Sequence, residues 1–528
     1  MCLPETIESH PLCRGWRCFP LQYQIFTRQA LRNLKLLVQQ SLQEWNSSAK
    51  VQIGFGLVVL LITCGFGYVQ GQILADPDTW WHVKVGSDIW HSWNFPTQDH
   101  FSYTFYGHPW IAKEWLGQII LYLGYAADGR NGVWLVGVAS VCFLAISIYA
   151  AVSRHLAPII SAGATLSAVS LSSSYFLARP FLLALPIMVI WTYVLFERAR
   201  LKRSPQFSLL LLLILWANLH AGFTMGFVVA FFAFLDFAER TRFKDRLGLV
   251  KWIIFGCLCP VVTLFHPYTY QATLMTFSML SANEAVPLIT EWKPFNAQTY
   301  VPEEIGIIVM IFALLVTGVR FTWSKSAFLM LVFHMFLVHG RFSTTLFPLI
   351  PVVAATDIAT SFPLLSITAW RSQRRDAIEE FIARNFVPFC LVAMGAAVTI
   401  IIALSAFLHL KNEKMHGLDA IAFAKNHRLT GHVMNEYAFG GPLIFNDIPT
   451  YIDGRSDQLF LDGFITADDK MQKLGGQQIF LDALRKYDIR WTIFRPTDPR
   501  VTMLDGMKDW KRAYTDEYAV IHVPSSTP

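Results

Sequence analysis

The sequence predicts an α-helical polytopic membrane protein with about eleven transmembrane helices and a small extracytoplasmic α/β domain at its C-terminus. Three observations predict this fold class. Of the 528 residues, 54% are hydrophobic and only 15% are charged, which is typical of a chain that lies mostly in lipid. Apolar stretches recur between basic clusters over residues 51–408. After residue 408 the composition changes to short β-like runs, at 432–435, 450–453, 490–494 and 518–523, separated by polar turns.

The apolar stretches approach the roughly 20 residues that a bilayer core requires. They lie at 51–74, 132–152, 156–177, 181–196, 207–219, 221–237, 248–265, 304–319, 326–339, 343–361 and 386–408. Basic clusters between them mark cytoplasmic loops: 28–35, Arg154, 198–203, 240–246, Arg320 with Lys325, and Arg371 with Arg374 and Arg375. An odd number of crossings puts the N-terminus in the cytoplasm and residues 409–528 outside it.

Residues 1–50 precede the first span as a cytoplasmic segment. Apolar residues between positions 25 and 42 fall near helical spacing with basic residues between them. This predicts an amphipathic helix on the inner membrane surface, although an ordinary soluble helix explains the pattern as well. No short signal-peptide pattern is present, so we expect the first span, within the transmembrane domain 51–408, to be an uncleaved anchor. The net charge of +6 indicates basic cytoplasmic loops rather than nucleic-acid binding.

The first outer loop, residues 75–115, begins with two carboxylates, two tryptophans and a histidine: Asp76, Asp78, Trp80, Trp81 and His82. Two close carboxylates raise each other's pKa, which suits a general base. The same pair with His82 could instead hold a divalent metal, Mg²⁺ or Mn²⁺. A third interpretation is purely structural, because an acidic residue at a helix start stabilises the helix.

Aromatic and acidic residues of the same loop are candidates for contacts to a sugar or an acceptor. Trp80 and Trp81 can stack on sugar rings, although tryptophans at this position also form an interfacial belt. His82 and Glu114 at the two ends of the loop, and Glu291 in a later outer loop, complete this set.

Four cationic side chains stand at the outer ends of predicted spans: Arg179, His220, His266 and Arg341. They could bind a lipid phosphate or diphosphate, for which arginine is well suited; snorkelling and helix capping are the alternatives. Arg341 is the strongest candidate, because it directly follows a span. Ionisable residues inside the spans are sparse, which argues against a transporter.

The motifs together resemble a family of polytopic bacterial inner-membrane proteins. The run Asp-Pro-Asp-x-Trp-Trp-His at 76–82, with 101–104, 107–110 and 114–115, carries the resemblance, and 178–180, 218–220, 291–292 and 453–455 are similar to later motifs of that family. The family in turn resembles the C-type (GT-C) glycosyltransferase superfamily. The resemblance implies a multi-pass inner-membrane enzyme with a periplasmic C-terminal domain at 409–528, and an essential acid at Asp76 or Asp78.

The resemblance also implies the chemistry. We expect inverting transfer of a hexose or pentose from a polyprenyl-phosphate-linked donor to a hydroxyl of a glycan, lipid or protein acceptor on the outer face. Asp78 or Asp76 would be the base, and the cations would bind the donor phosphate. A lipid-linked-sugar transporter and an O-antigen-ligase-like glycan transferase remain as alternatives. The role of the C-terminal domain, in acceptor binding or in covering the site, stays open.

Overall fold

The computed structural model describes residues 47–65, 73–278, 292–373, 376–411, 417–461, 463–473 and 475–526. Two sequence-based expectations lie outside these ranges. They are the amphipathic helix near residues 25–42 and the acceptor contact by Glu291. The last part of the first predicted span, residues 66–72, also lies outside them.

The transmembrane part is a bundle of α-helices in which each of the eleven predicted stretches contains a helix. The helices are α1 Ser47–Gly65, α2 Asp78–Ser92, α3 Trp115–Val152, α4 Pro158–Ser172, α5 Pro180–Arg200, α6 Leu209–Leu219, α7 Thr224–Thr241, α8 Arg246–Val262, α9 Tyr270–Ser278, α10 Val301–Thr317, α11 Trp323–Val338, α12 Ser343–Ser361, α13 Ile367–Ser372, α14 Ala377–Arg384 and α15 Phe386–Lys411.

Helix length and composition identify fewer crossings than the apolar stretches do. Within the described ranges, five helical segments are long and apolar enough to cross a membrane: Ser47–Gly65, Trp115–Val152, Pro180–Arg200, Ala221–Thr241 and Gly340–Ser361. The pair α14 and α15, bent by 91°, is a sixth candidate, and α6 and α11 are shorter apolar helices. The helical membrane fold is therefore confirmed, and the count of eleven stays a prediction.

Helix α3 consists of two helices joined at a sharp break. Asp128 and Gly129 have non-helical backbone angles, and Gly129 has φ of 53°, which glycine adopts without strain. The two halves then approach so closely that a Cβ on Gly132 would overlap the backbone of Gly124. The second half, residues 130–152, corresponds to the predicted span at 132–152, and the first half, residues 115–127, belongs to the outer loop region.

The bundle has two chemically different ends, and α5 spans the distance between them. Its 21 residues correspond to about 30 Å at 1.5 Å per residue, close to the thickness of a bilayer core. Arg179 precedes its first turn, where Pro180 starts the helix with a suitable fixed φ. Arg198 and Arg200 lie in its last turn.

A network of ion pairs and hydrogen bonds joins the helices at the Arg200 end. Asp236 in α7 binds Arg240 (2.8 Å) and accepts a hydrogen bond from Thr322 (2.6 Å). Lys325 in α11 pairs with Asp357 in α12 at 2.5 Å. The predicted cytoplasmic residues therefore gather at this end, away from the outer-loop residues.

The C-terminal unit contains a four-stranded sheet with helices, as the sequence predicts. Its elements are α16 Leu418–Asn426, β1 His432–Asn435, α17 Gly440–Phe445, α18 Phe464–Met471, α19 Gln477–Lys486, β2 Ile489–Phe494, α20 Pro499–Asp505, β3 Trp510–Thr515 and β4 Val520–Pro524. The strand order is β1-β2-β4-β3, with β1 parallel to β2 and the other pairs antiparallel.

One predicted strand of this unit is wrong and one real strand is not predicted. Residues 450–453 form no strand; they make only an isolated bridge, from Thr450 to Ser102, before a turn. The strand β3 lacks a buried apolar pattern, because its residues are mostly exposed or half-buried at the sheet edge. An edge strand with few buried side chains gives little periodic signal.

The first outer loop packs into the C-terminal unit. The Tyr103 hydroxyl donates to the Val433 carbonyl oxygen (2.7 Å), and the Thr104 hydroxyl donates to the Tyr451 carbonyl oxygen (2.8 Å). One hydrophobic core contains residues of both parts, including Trp110 and Phe460. The loop and the C-terminal unit therefore form one body over the outer end of the bundle.

Candidate active site

A cavity of about 1050 Å³ lies where the first outer loop, the helix ends and the C-terminal unit meet. It brings together eight of the predicted site residues, which are Asp76, Asp78, Trp81, His82, Glu114, Arg179, His220 and Arg341. These residues are spread over more than 260 positions of the chain. The fold therefore places these eight residues around one cavity at one end of the bundle.

Asp76, Asp78 and Arg179 form a tight cluster at the start of α2. The Arg179 Nη2 atom lies 2.7 Å from Asp76 Oδ1 and 3.0 Å from Asp78 Oδ2, and its Nε also donates to Asp76. The Asp78 backbone N–H donates to Asp76 Oδ1 at 3.0 Å. Both carboxylates are buried and stand at a helix N-terminus, where negative charge is favoured. Arg179, expected to bind phosphate, here binds the two acids.

The side chains of Asp76, Asp78 and His82 are not arranged to bind a divalent metal, which is one of the alternatives that the sequence allows. The guanidinium of Arg179 already binds both carboxylates. The Gln118 amide donates to His82 Nδ1 at 3.2 Å, and the His82 ring packs on Trp81 with centroids 3.6 Å apart. In the part of the chain that the structure describes, no group of three or more His, Cys, Asp or Glu side chains is placed to hold a metal.

Glu114 and His220 form a second acid–base pair in the cavity. The Gly222 N–H donates to His220 Nδ1 (2.9 Å), so the proton of the neutral ring is on Nε2, which lies 3.2 Å from Glu114 Oε1. Burial, with the charges of Arg341 and Lys113, holds the pKa of His220 well below its usual value. Burial raises the pKa of Glu114 to about 7. Glu114 can therefore change its protonation state near neutral pH.

Arg341 and Lys113 supply positive charge near the pair of Glu114 and His220. Arg341 lies on the short turn between α11 and α12, with its guanidinium 4.9 Å from the centre of the Trp292 ring. The turn is close-packed, because a Cβ on Gly340 would lie 2.8 Å from the Tyr175 hydroxyl. Lys113 is buried and pairs with Asp457 of the C-terminal unit.

Among the predicted site residues that the structure describes, two do not line the cavity. Trp80 packs against Tyr125 and Phe445, on a different face of α2 from Trp81, because adjacent helical residues point about 100° apart. The ring nitrogens of His266 are used by backbone groups: Nε2 donates to the Lys113 carbonyl oxygen (3.1 Å) and Nδ1 accepts from the Tyr268 N–H (3.2 Å). His266 therefore holds the backbone beside Lys113. Its role is structural, in contrast to the phosphate binding that the sequence predicts.

The cavity also has walls that the sequence did not indicate. Leu185 and Met188 in α5, with Met225 and Val228 in α7, make an apolar wall between the helices. The C-terminal unit adds polar residues, among them Glu436, Tyr437, Asp457, Asp468 and Arg495. Asp457 lies two residues after the 453–455 motif, and nothing in its local sequence distinguishes it from a surface carboxylate.

Gly454 brings the C-terminal unit against the acidic cluster. A Cβ at this position would overlap the Asp78 carboxylate, and a Cβ on Gly441 would overlap the Pro77 carbonyl. Glycine permits such close approach of one backbone to another group. The C-terminal unit is therefore a wall of the site rather than a separate appendage.

Solved structures that resemble this chain in overall course include two of ArnT and one of an oligosaccharyltransferase. The crystal structure of ArnT from Cupriavidus metallidurans bound to undecaprenyl phosphate has a TM-score of 0.45 and 12% identity, covering 90% of this chain and 98% of that one. The apo state of the same protein has a TM-score of 0.47 and 13% identity, covering 88% and 97%.

The third structure is the apo oligosaccharyltransferase of Archaeoglobus fulgidus. It has a TM-score of 0.43 and 10% identity, covering 83% of this chain and 69% of that one. No protein-family model and no curated protein sequence matches the chain. The likeness concerns the overall course of the chain. The sequences themselves are different at the great majority of positions.

Proposed function

We propose that the protein is an inverting membrane glycosyltransferase that moves a sugar from a polyprenyl-phosphate donor to an acceptor hydroxyl. The observation that carries this proposal is the cavity itself, which is lined by buried carboxylates, by cationic side chains and by an apolar wall. A volume of about 1050 Å³ is at the upper end of ordinary small-molecule sites. It suits a sugar phosphate together with part of an acceptor.

The apolar wall supports a lipid-linked donor. Leu185, Met188, Met225 and Val228 belong to membrane helices and line the same cavity as the charged groups. A polyprenyl chain placed along these side chains would leave its phosphate near Arg341 and Lys113. A soluble nucleotide-sugar donor would gain nothing from such a wall, because its base and ribose are polar.

The reaction is a single displacement. Asp78 takes the proton of the acceptor hydroxyl, and the acceptor oxygen attacks the anomeric carbon of the sugar. The bond from that carbon to the phosphate oxygen breaks, and polyprenyl phosphate leaves with the electron pair. Arg341 and Lys113 stabilise the negative charge that grows on the phosphate, an effect that is large in a site shielded from water.

Arg179 has a positioning role in this mechanism. It binds Asp76 through two nitrogen atoms and Asp78 through one. The positive charge of this guanidinium compensates the charge of the two buried carboxylates. Asp76 makes more contacts with Arg179 than Asp78 does and also accepts the Asp78 N–H, so we assign proton removal to Asp78 and orientation to Asp76.

We further propose that the cavity faces away from the cytosol in a bacterial inner membrane. Basic clusters at the ends of α5 and α7 and at the start of α8 lie at the opposite end of the bundle. An excess of arginine and lysine marks the cytoplasmic side. The acceptor would then be a glycan, lipid or protein of the cell envelope.

The separate variants Asp76→Asn and Asp78→Asn test the proposal, assayed with a radiolabelled polyprenyl-phosphate sugar. We expect Asp78→Asn to lower the transfer rate at least 1000-fold, on the order of the loss of a positioned base, and Asp76→Asn to lower it less. Asp88→Asn, an exposed acid on the same helix that pairs with Lys84, is the control. Full activity of both variants, or movement of labelled donor across vesicles without acceptor, contradicts the proposal.

A further inference from the structure

A second cavity lies at the opposite end of the bundle from the candidate active site. It has a volume of about 710 Å³ and is formed by α1, α3, α5 and α13. Its polar floor includes Arg154, Arg200 and Arg371. Helix α5 connects the two cavities, since Arg179 precedes its first turn and Arg200 ends its last, about 30 Å away.

The floor of this cavity has an excess of positive charge. Glu197 is the acid among the lining residues, and Arg200 binds it through two nitrogen atoms, at 2.7 and 2.6 Å. Arg154 and Arg371 are exposed, and neither makes an ion pair with a carboxylate among residues 47–526 that the structure describes. The three arginines and one glutamate carry a formal net charge of +2, which an anionic ligand can neutralise.

The backbone brings the two arginines to the same floor. The Ile367 N–H donates to the His155 carbonyl oxygen at 2.9 Å, and the Ala157 N–H donates to the Leu365 carbonyl oxygen at 2.8 Å. These bonds hold the segment after Arg154 beside the start of α13, which carries Arg371 one turn later. The backbone therefore holds the segments of Arg154 and Arg371 together, and both residues line the same cavity.

The walls of the cavity are apolar on the side of the membrane. Leu57 and Leu60 in α1 and Ile146 in α3 line it, and Ile53 of α1 is 52% exposed. The helices are fixed against each other at the floor, because the Gln52 amide donates to the Ser153 carbonyl oxygen (3.1 Å) and the Tyr149 hydroxyl donates to the Gln52 carbonyl oxygen (2.8 Å). A ligand here meets positive charge at one end and hydrocarbon at the other.

We propose that this cavity binds an anionic phospholipid of the inner leaflet, with its phosphate between Arg154 and Arg371 and an acyl chain along Leu57 and Leu60. Basic pockets between transmembrane helices on the cytoplasmic side are suited to such head groups. The N-terminal segment is a poorer occupant, because residues 1–46 contain five Lys or Arg against three Glu. The proposal does not depend on the glycosyltransferase assignment.

Lipid-dependent thermal unfolding of the purified full-length chain in detergent tests this site. We expect phosphatidylglycerol at about 100 times its Kd to raise the Tm by about 2–3 °C, whereas phosphatidylcholine and inorganic phosphate raise it by less than about 1 °C. The double variant Arg154→Gln/Arg371→Gln should lose the shift. Arg246→Gln, which removes an exposed arginine at the start of α8, is the matched control and should keep it.

Three outcomes overturn the proposal. They are an equal shift with phosphatidylcholine, an equal shift with inorganic phosphate, which would make this a site for a soluble anion, and an unchanged shift in the double variant. If the double variant does not fold, the single variant Arg371→Gln and the count of bound phosphatidylglycerol by native mass spectrometry replace it. Retention of the same lipid count in that variant also overturns the proposal.

Discussion

At the scale of single residues, the site depends on which charged groups are buried together. Glu114 is the clearest case, because its side chain is only 13% exposed beside the neutral His220 and burial raises its pKa to about 7. A carboxyl group with a raised pKa contributes stability that is present below about pH 4.5 and is lost as the pH rises through about 7. Ionisation of Glu114 above neutral pH therefore lowers the free energy of unfolding of the protein.

Glu114→Gln removes this titration. We expect the stability of the wild-type protein relative to the variant to fall by about 3 kcal/mol between pH 4 and pH 9, since each pKa unit corresponds to about 1.4 kcal/mol. The pH profile of transfer should lose its inflection near pH 7 in the variant. Thermal unfolding and kcat/KM across this range measure both effects.

The matched control is Glu380→Gln, which changes a carboxyl group that is half exposed on α14. It should leave both pH profiles unchanged. If the stabilities of Glu114→Gln and the wild type differ by the same amount at every pH, Glu114 does not titrate in the folded protein near neutral pH.

At the scale of elements, the charged residues of the candidate site lie at the ends of helices and in the turns between them. The start of α2 carries the acids, the residue before α5 carries Arg179, and the breaks at α6–α7 and α11–α12 carry His220 and Arg341. Helix interiors present apolar side chains to lipid or to the bundle core, so polar groups collect where helices stop.

Gly454→Ala tests the contact between the 453–455 turn and α2. The added methyl group would overlap the Asp78 carboxylate, so the turn or the acid must move. We expect a loss of at least 100-fold in transfer, as for small displacements of catalytic groups, with a cost in stability of about 1–3 kcal/mol.

Gly506→Ala is the corresponding control, because the nearest atom to its new Cβ would be 3.6 Å away. The rate of transfer and the Tm of the two variants should be compared side by side. Wild-type activity in Gly454→Ala would show that the C-terminal unit does not position Asp78.

At the scale of the whole molecule, one buried arginine joins the C-terminal unit to the first outer loop. Arg455 is fully buried and lies 2.5 Å from Asp99 of the loop and 2.7 Å from Asp453 of its own turn. Its guanidinium also packs over the rings of Phe101 and Trp110. The loop and the C-terminal unit are therefore expected to unfold together.

Arg455→Met should destabilise this body by about 3–5 kcal/mol, because it leaves two buried carboxylates without their partner. The triple variant Arg455→Met/Asp99→Asn/Asp453→Asn should recover much of that loss, since no unpaired charge remains. Thermal unfolding and limited proteolysis of the C-terminal unit measure the effect. Arg490→Met, at an exposed pair with Asp488, should change stability by less than about 1 kcal/mol.

The sequence by itself determined the class of the fold and the neighbourhood of the site. Apolar stretches and basic clusters are local properties of the chain, so they located the helices and the break between the stretches 207–219 and 221–237. The acids at 76 and 78 and the cation at 341 were found in the same way, because an ionisable group beside a span is conspicuous in the sequence.

Only the tertiary structure decided which of these groups meet. It placed Arg179 on the two acids, paired Lys113 with Asp457, and turned Trp80 and His266 away from the cavity. It also made the C-terminal unit a wall of the site through Gly454 and Arg455. Such contacts join residues up to 376 positions apart, and a pattern that repeats every few residues carries no information about partners at that distance.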